Sequence, residues 1–276
     1  MKKKRKKITI TEILLLVLGV FYLFPIYILI VNSFKSLQDV SRSPYSLPQK
    51  VIFTNFQKII SDGNFLDAIK NNLVITFAVV ITIITISSMT GYILVRKKTR
   101  FNGVIYIYFI LGMLIPFQVY MISLIKELHF IGLLRTPLGL FVTYVAQFTP
   151  LSVFLYSGYV KSVPKDMEES GRIDGCGPFM LFFRIVYPIL KPCTSSVVII
   201  FSISVWNSFV QPVIILGTMR WNLLYVEVFK FVQDKYFHQW NMTFAACFLS
   251  LVPIAFLYVI MQNRIIGGLT SGAVKG

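Results

Sequence analysis

Six long apolar runs separated by polar segments dominate the chain: Ile13–Val31, Leu73–Val95, Val104–Leu124, Leu138–Tyr159, Cys193–Leu216 and Met242–Gln262. Each is close to the roughly 20 residues a helix needs to cross a bilayer. The pattern predicts an all-α membrane protein with six transmembrane helices. Its organisation would be a basic N-terminus at 1–12, a membrane domain at 13–262 and a tail at 263–276.

Breakers and polar residues refine the spans. Pro25 is expected to bend the first. Thr76, Thr82, Thr85, Ser87 and Ser88 in the second can return hydrogen bonds to helix carbonyls. The third carries Pro116 and Gln118, the fourth Gln147 and Pro150, and the fifth Trp206, Asn207 and Gln211. Interior Pro and amide groups suit packing against protein or a lined cavity better than lipid. Segments 32–71, 125–137 and 217–241 would lie outside, the first with a short helix near Phe56–Ile69 and the last with Trp221, Tyr225, Tyr236 and Trp240 as interface aromatics.

The insert at 160–192 breaks the apolar rhythm. Pro164 suits the first turn of a helix, where Asp166 meets exposed N–H groups. Glu168 and Glu169 are spaced to pair with Arg172 on one helical surface. Ser170 and Gly171 leave room for another surface to approach. Gly175 and Gly177-Pro178 end that helix, and Phe179–Tyr187 reads as a second, stopped by Pro188. The product is a two-helix knob for a partner to grip, or an interfacial amphipathic anchor.

Charge orients the chain. Of 27 Lys and Arg, 17 fall in the segments placed inside, including residues 2–7 (KKKRKK) and 96–100 (RKKTR). The positive-inside rule then puts both termini in the cytoplasm. The net charge of +16 lies beside apolar spans, so lipid and not nucleic acid is the expected contact. Cys176, Cys193 and Cys247 lack metal-ligand spacing, and no phosphate-binding glycine loop is present. The middle of the spans holds no Asp, Glu or His, which argues against a membrane enzyme. His129 and His238 fall in external loops.

The run Glu169-Ser170-Gly171, three residues, Gly175, nine residues, Ile185-x-Tyr187-Pro188 resembles the EAA loop of ABC-importer permeases. Ser170 and Gly171 replace its two Ala, and Tyr187 a Leu. Further stretches resemble the carbohydrate-uptake subfamily, in its shorter maltose-type permease: Asn32-Ser33-Phe34-Lys35, Asn71-Asn72, Ile115-Pro116-x-Gln118, Ile173-Asp174-Gly175, Val205-Trp206-Asn207-x-Phe209 and the ending from Gly267 to Gly276. Ser208 stands where similar permeases often carry Asp.

The resemblance implies a type I ABC-importer permease fold in a bacterial cell membrane and a non-catalytic subunit importing a sugar or oligosaccharide. It implies a second homologous permease, two ABC ATPase subunits that hold ATP and Mg, and an extracytoplasmic sugar-binding protein. Glu168, Glu169, Ser170, Gly171, Arg172, Asp174 and Gly175 would form the ATPase-coupling contact. Thr270, Ser271, Gly272 and Lys275 would reach towards the ATPases from the tail. Gln118, Gln147, Trp206, Asn207 and Gln211 are the candidate substrate pathway, or else hydrogen-bond between helices. A permease for another solute, such as glycerol phosphate, is the alternative; the absence of Lys and Arg from the middle of spans two to six favours a neutral solute.

Overall fold

The computed structural model describes residues 9–61, 64–217, 219, 221–233 and 239–273, and among them the regular structure is helical throughout. The basic run at 2–7 lies outside the described residues, as do Tyr236 and His238. Four helices are long and apolar enough to cross a membrane, or six if two bent helix pairs each count as one span. The chain divides into two compact units.

The first unit holds residues 1–66 and 227–252. It opens with α1 (Ile10–Ser33), started by a capping box in which the Thr9 amide donates to Glu12 Oε2 at 2.8 Å, closing two otherwise orphaned donors. The helix runs unbroken through Pro25, and only Val31, Asn32 and Ser33 of it are buried. Two short helices follow, α2 (Leu37–Arg42) and α3 (Thr54–Ser61). Buried amides fix this end: Asn32 donates to the carbonyl of Pro44 at 2.9 Å, and Asn55 to those of Ser33 and Lys35 at 3.0 and 2.9 Å. The buried Lys35 Nζ donates to the Ser43 carbonyl at 2.8 Å. Burial lowers its pKa, against the opposing charge of Asp39.

The second unit holds residues 67–226 and 253–276. Helix α4 (Asn64–Arg96) absorbs the second half of the helix expected at 56–69 and runs on through the second span. The expected third span is two helices, α5 (Arg100–Leu114) and α6 (Phe117–Phe130), bent by 103°. Pro116 lacks the N–H that would continue the ladder and pushes Ile115 out of the helical region. Helix α7 (Pro137–Val160) matches the fourth span; Thr136 caps it by accepting from the Gly139 amide at 2.9 Å.

The second helix of the insert is more broken than expected. It comprises α9 (Pro178–Leu181), a π-helical turn at Phe182–Val186 and α10 (Tyr187–Ile189), after α8 (Lys165–Ile173). Pro188 does not stop it but sits in the first turn of α10, where its missing N–H costs nothing. This stretch meets α11 (Lys191–Trp206) at 75°. The expected fifth span breaks after Trp206, and α12 (Val210–Leu216) carries its remainder. Helix α13 (Leu224–Gln233) precedes α14 (Trp240–Ala273), which continues as helix through most of the expected tail.

The core of the second unit joins Ile83, Tyr144, Tyr156, Val186, Val197 and Leu216, all buried. Helices α4 and α7 approach closely at Gly91, where a Cβ would lie 2.9 Å from Tyr156 Cβ and 3.0 Å from the Ser157 amide nitrogen. Small residues at such crossings let membrane helices gain van der Waals contact that apolar lipid would otherwise match.

Candidate functional site

The polar insert is built around α8. Pro164 sets its entry, and Asp166 and Glu168 occupy the first turn with Arg172 in the last. This order suits the helix dipole at both ends. The helix stops in a Schellman motif: the Gly175 amide donates to the Arg172 carbonyl at 3.0 Å and the Cys176 amide to that of Gly171 at 2.9 Å. Gly175 has φ +82°, a conformation open to glycine at little cost. The end of α8 is therefore fixed by backbone alone.

The two faces of α8 differ. Glu169, Ser170, Arg172, Asp174 and Gly175 are exposed, whereas Glu168 and Gly171 turn inward. Gly171 was expected to admit a partner surface, but its bare face is used within the chain. A Cβ there would lie 2.3 Å from Ile185 Cδ1 and 2.9 Å from Leu181 Cδ1. Glu168 does not pair with Arg172. Its Oε1 accepts from Arg96 Nε at 2.7 Å, and its Oε2 from the Tyr92 hydroxyl at 2.8 Å. The Arg96 guanidinium lies 2.6 Å from the same carboxylate and also donates to the Val163 carbonyl at 2.8 Å. Sequence reading saw Arg96 only as a membrane-edge anchor and did not single out Tyr92. Helical periodicity cannot pair residues on elements so far apart in sequence.

The candidate pathway residues do not converge. Gln147 lines a cavity of about 910 Å³ where α5 and α6 bend beside α7, with Tyr108, Phe117, Tyr120 and Phe148. Its Oε1 accepts from Gln211 Nε2, and Gln211 Oε1 accepts from the Ser208 hydroxyl at 2.9 Å. Gln118 and Asn207 are exposed, and Asn207 Oδ1 accepts from the Tyr225 hydroxyl at 3.2 Å. Trp206 is buried and borders a different, largely apolar cavity of about 410 Å³ between α4, α11 and α14. Asn72 stitches the broken fifth span: it donates to the Trp206 carbonyl at 3.3 Å and accepts from the Leu224 amide at 3.4 Å. In the tail, Thr270, Ser271 and Gly272 lie on the α14 backbone, and Lys275 falls outside the described residues. Among the described residues no three His, Cys, Asp or Glu side chains gather as a metal site.

The described helices and their bent pairs define a helical, membrane-spanning protein with a short, capped, polar helix beside its spans. The particular family follows from comparison. A family model described as the binding-protein-dependent transport system inner membrane component matches residues 83–270, and the chain belongs to that family. It is an inner-membrane, non-catalytic subunit whose partners include an ATPase and a binding protein. The chain is 32% identical over 263 residues to the probable starch degradation products transport system permease protein AmyC of Thermoanaerobacterium thermosulfurigenes, covering 94% of each chain. It is 31% identical to the multiple sugar-binding transport system permease protein MsmG of Streptococcus mutans, covering 99% of this chain and 100% of that one. It is 30% identical to the melibiose/raffinose/stachyose import permease protein MelC of Bacillus subtilis, covering 99% of each. A solved bacterial ABC transporter involved in import of the acidic polysaccharide alginate shares the fold, with a TM-score of 0.83 at 20% identity over 92% of this chain and 94% of that one. The fold is that of a type I ABC-importer permease.

Proposed function

We propose that this chain is one of two homologous permease subunits of an importer for a sugar or oligosaccharide. Six spans with both termini in the cytoplasm would carry it, two ATPase subunits would bind ATP and Mg on its cytoplasmic side, and an extracytoplasmic binding protein would deliver the sugar. The observation that carries the mechanism is the division of α8 into an anchored and an offered face. Glu169, Ser170, Arg172 and Asp174 are exposed on a helix capped at its C-terminus by backbone bonds and pinned through Glu168 and Gly171. A helix held in that way transmits force as a rigid body. Closure of the ATPases would displace α8 and switch the spans between inward-open and outward-open states by rigid-body movement of packed elements. The sugar assignment draws support from the named relatives.

Within the spans, Gln147 is the pathway residue best supported, because it borders an aromatic-lined cavity. Gln211 would act through Gln147, to which it donates, Gln118 and Asn207 expose polar groups, and Trp206 would act at the separate cavity it borders. Thr270, Ser271, Gly272 and Lys275 are proposed to reach the ATPase contact from the end of α14.

The test is co-purification of the tagged chain in mild detergent, followed by transport in vesicles. A second permease and an ATPase should accompany it, and the binding protein can be screened against sugars. Glu169→Lys should insert and assemble in the membrane yet lose more than about tenfold in uptake, since like charges facing each other at an interface cost several kcal/mol. Normal uptake by that variant would remove Glu169 from the contact.

A further inference from the structure

The coupling reading leaves open which span receives the motion of α8. Covalently, α8 follows α7 through residues 161–164, which would make α7 the obvious receiver. The side chains point elsewhere. The C-terminal turn of α4 holds α8 at two places: Arg96 grips the Val163 carbonyl just before the helix, and Arg96 with Tyr92 grips both oxygens of Glu168 in its first turn. Both Arg96 and Glu168 are largely removed from solvent, so water does not compete for these bonds. Glu168 is the buried neighbour of the exposed Glu169, so a push on one is delivered within one residue of the other.

We infer that Arg96, Tyr92 and Glu168 form the linkage through which α8 drives α4, so that α4 and α8 move as one body in the transport cycle. Arg96 and Tyr92 are positioning residues that act through Glu168. They hold the coupling helix at a fixed angle to a span, and the exposed face of α8 can then steer that span. The inference rests on the coupling reading of α8.

The test uses the assembled importer in proteoliposomes. Glu168→Gln and Arg96→Gln should each lower the ratio of sugar taken up to ATP hydrolysed by about tenfold or more, as expected when one partner of a buried charge pair is lost. Arg96→Lys, which keeps a positive donor beside Glu168, should recover part of that ratio, and every variant should assemble to the level of the parent importer, which a merely destabilised chain would not do. In the otherwise unaltered importer, spin labels at the exposed positions Ile93 on α4 and Met167 on α8 should keep a constant separation with and without nucleotide. Single variants with an unchanged ratio, an Arg96→Lys variant no better than Arg96→Gln, or a label distance that changes with nucleotide would each overturn the linkage. A parallel Glu169→Lys arm separates the two ideas. If it alone abolishes uptake, the linkage fails and the coupling contact stands; if all variants transport normally, both fail.

Discussion

Two glycines meet their surroundings in opposite ways, and the difference sets what each position tolerates. A Cβ on Gly139 would lie 2.1 Å from the Leu133 carbonyl oxygen. That oxygen belongs to the backbone entering α7 and cannot swing aside. Gly139→Ala should therefore destabilise the protein by about 1–3 kcal/mol, the usual range for overpacking, seen as a lower melting temperature in detergent. At Gly171 the crowding atoms are the ends of Ile185 and Leu181 side chains, which can turn away. There the gain in helix propensity of about 1 kcal/mol offsets the crowding, and Gly171→Ala should melt within about 1 kcal/mol of the parent, whereas Gly171→Leu should not fold normally. Spacing alone revealed that Gly171 needed to be small. It did not reveal for whom, because Leu181 in α9 and Ile185 in the π-helical turn reach it only after the chain has turned back beyond Gly175. Glu168 and Glu169 make the same point. Adjacent in sequence, they differ by about 100° around the helix, and the one that faces Arg96 and Tyr92 is buried.

At the level of elements, the polar insert and the fourth span were legible from Pro, Gly and charge placement, and α7 and α8 lie close to where the pattern put them. The third and fifth spans were not. Both read as continuous apolar runs because hydropathy counts carbon and is blind to direction. Pro116 gave a visible warning, yet a proline inside a membrane helix can equally well leave it unbroken, as Pro25 does in α1. The break after Trp206 had no proline to announce it. Its loose backbone is held by Asn72 from inside α4 and by Tyr225 on Asn207. Asn72→Leu removes both bonds and leaves the Leu224 amide without the Asn72 acceptor, at a cost of about 1–3 kcal/mol. The predicted result is a lower thermal stability than Asn71→Leu produces, since Asn72 is buried and Asn71, which donates to the Asn222 carbonyl at 3.0 Å, is half-buried.

For the whole molecule, the arrangement of charge argues the orientation and can be checked directly. A fluorescent protein that matures only in the cytoplasm should glow when fused after Gly276, and alkaline phosphatase fused at the same point should stay inactive. The opposite pair of results would invert the topology. The family assignment was legible from the spacing of the EAA-like run together with scattered shorter stretches. The internal ties of Lys35, Asn55 and Arg96 were not, since each joins groups whose proximity exists only in the folded chain.

Helix α1 carries a last consequence. Its apolar window is 0% buried, and its ties to Tyr45, a stacked Phe24 ring at 6.1 Å and a Tyr27 hydroxyl donating to the Tyr45 carbonyl at 3.0 Å, lie in its second half. Such a helix is specified by length and greasiness and hardly at all by shape. Exchanges of one apolar residue for another along it should therefore leave the fold of this chain intact, in contrast to Gly91 in α4 and Gly139 in α7, where an added Cβ would lie 2.9 and 2.1 Å from a neighbour.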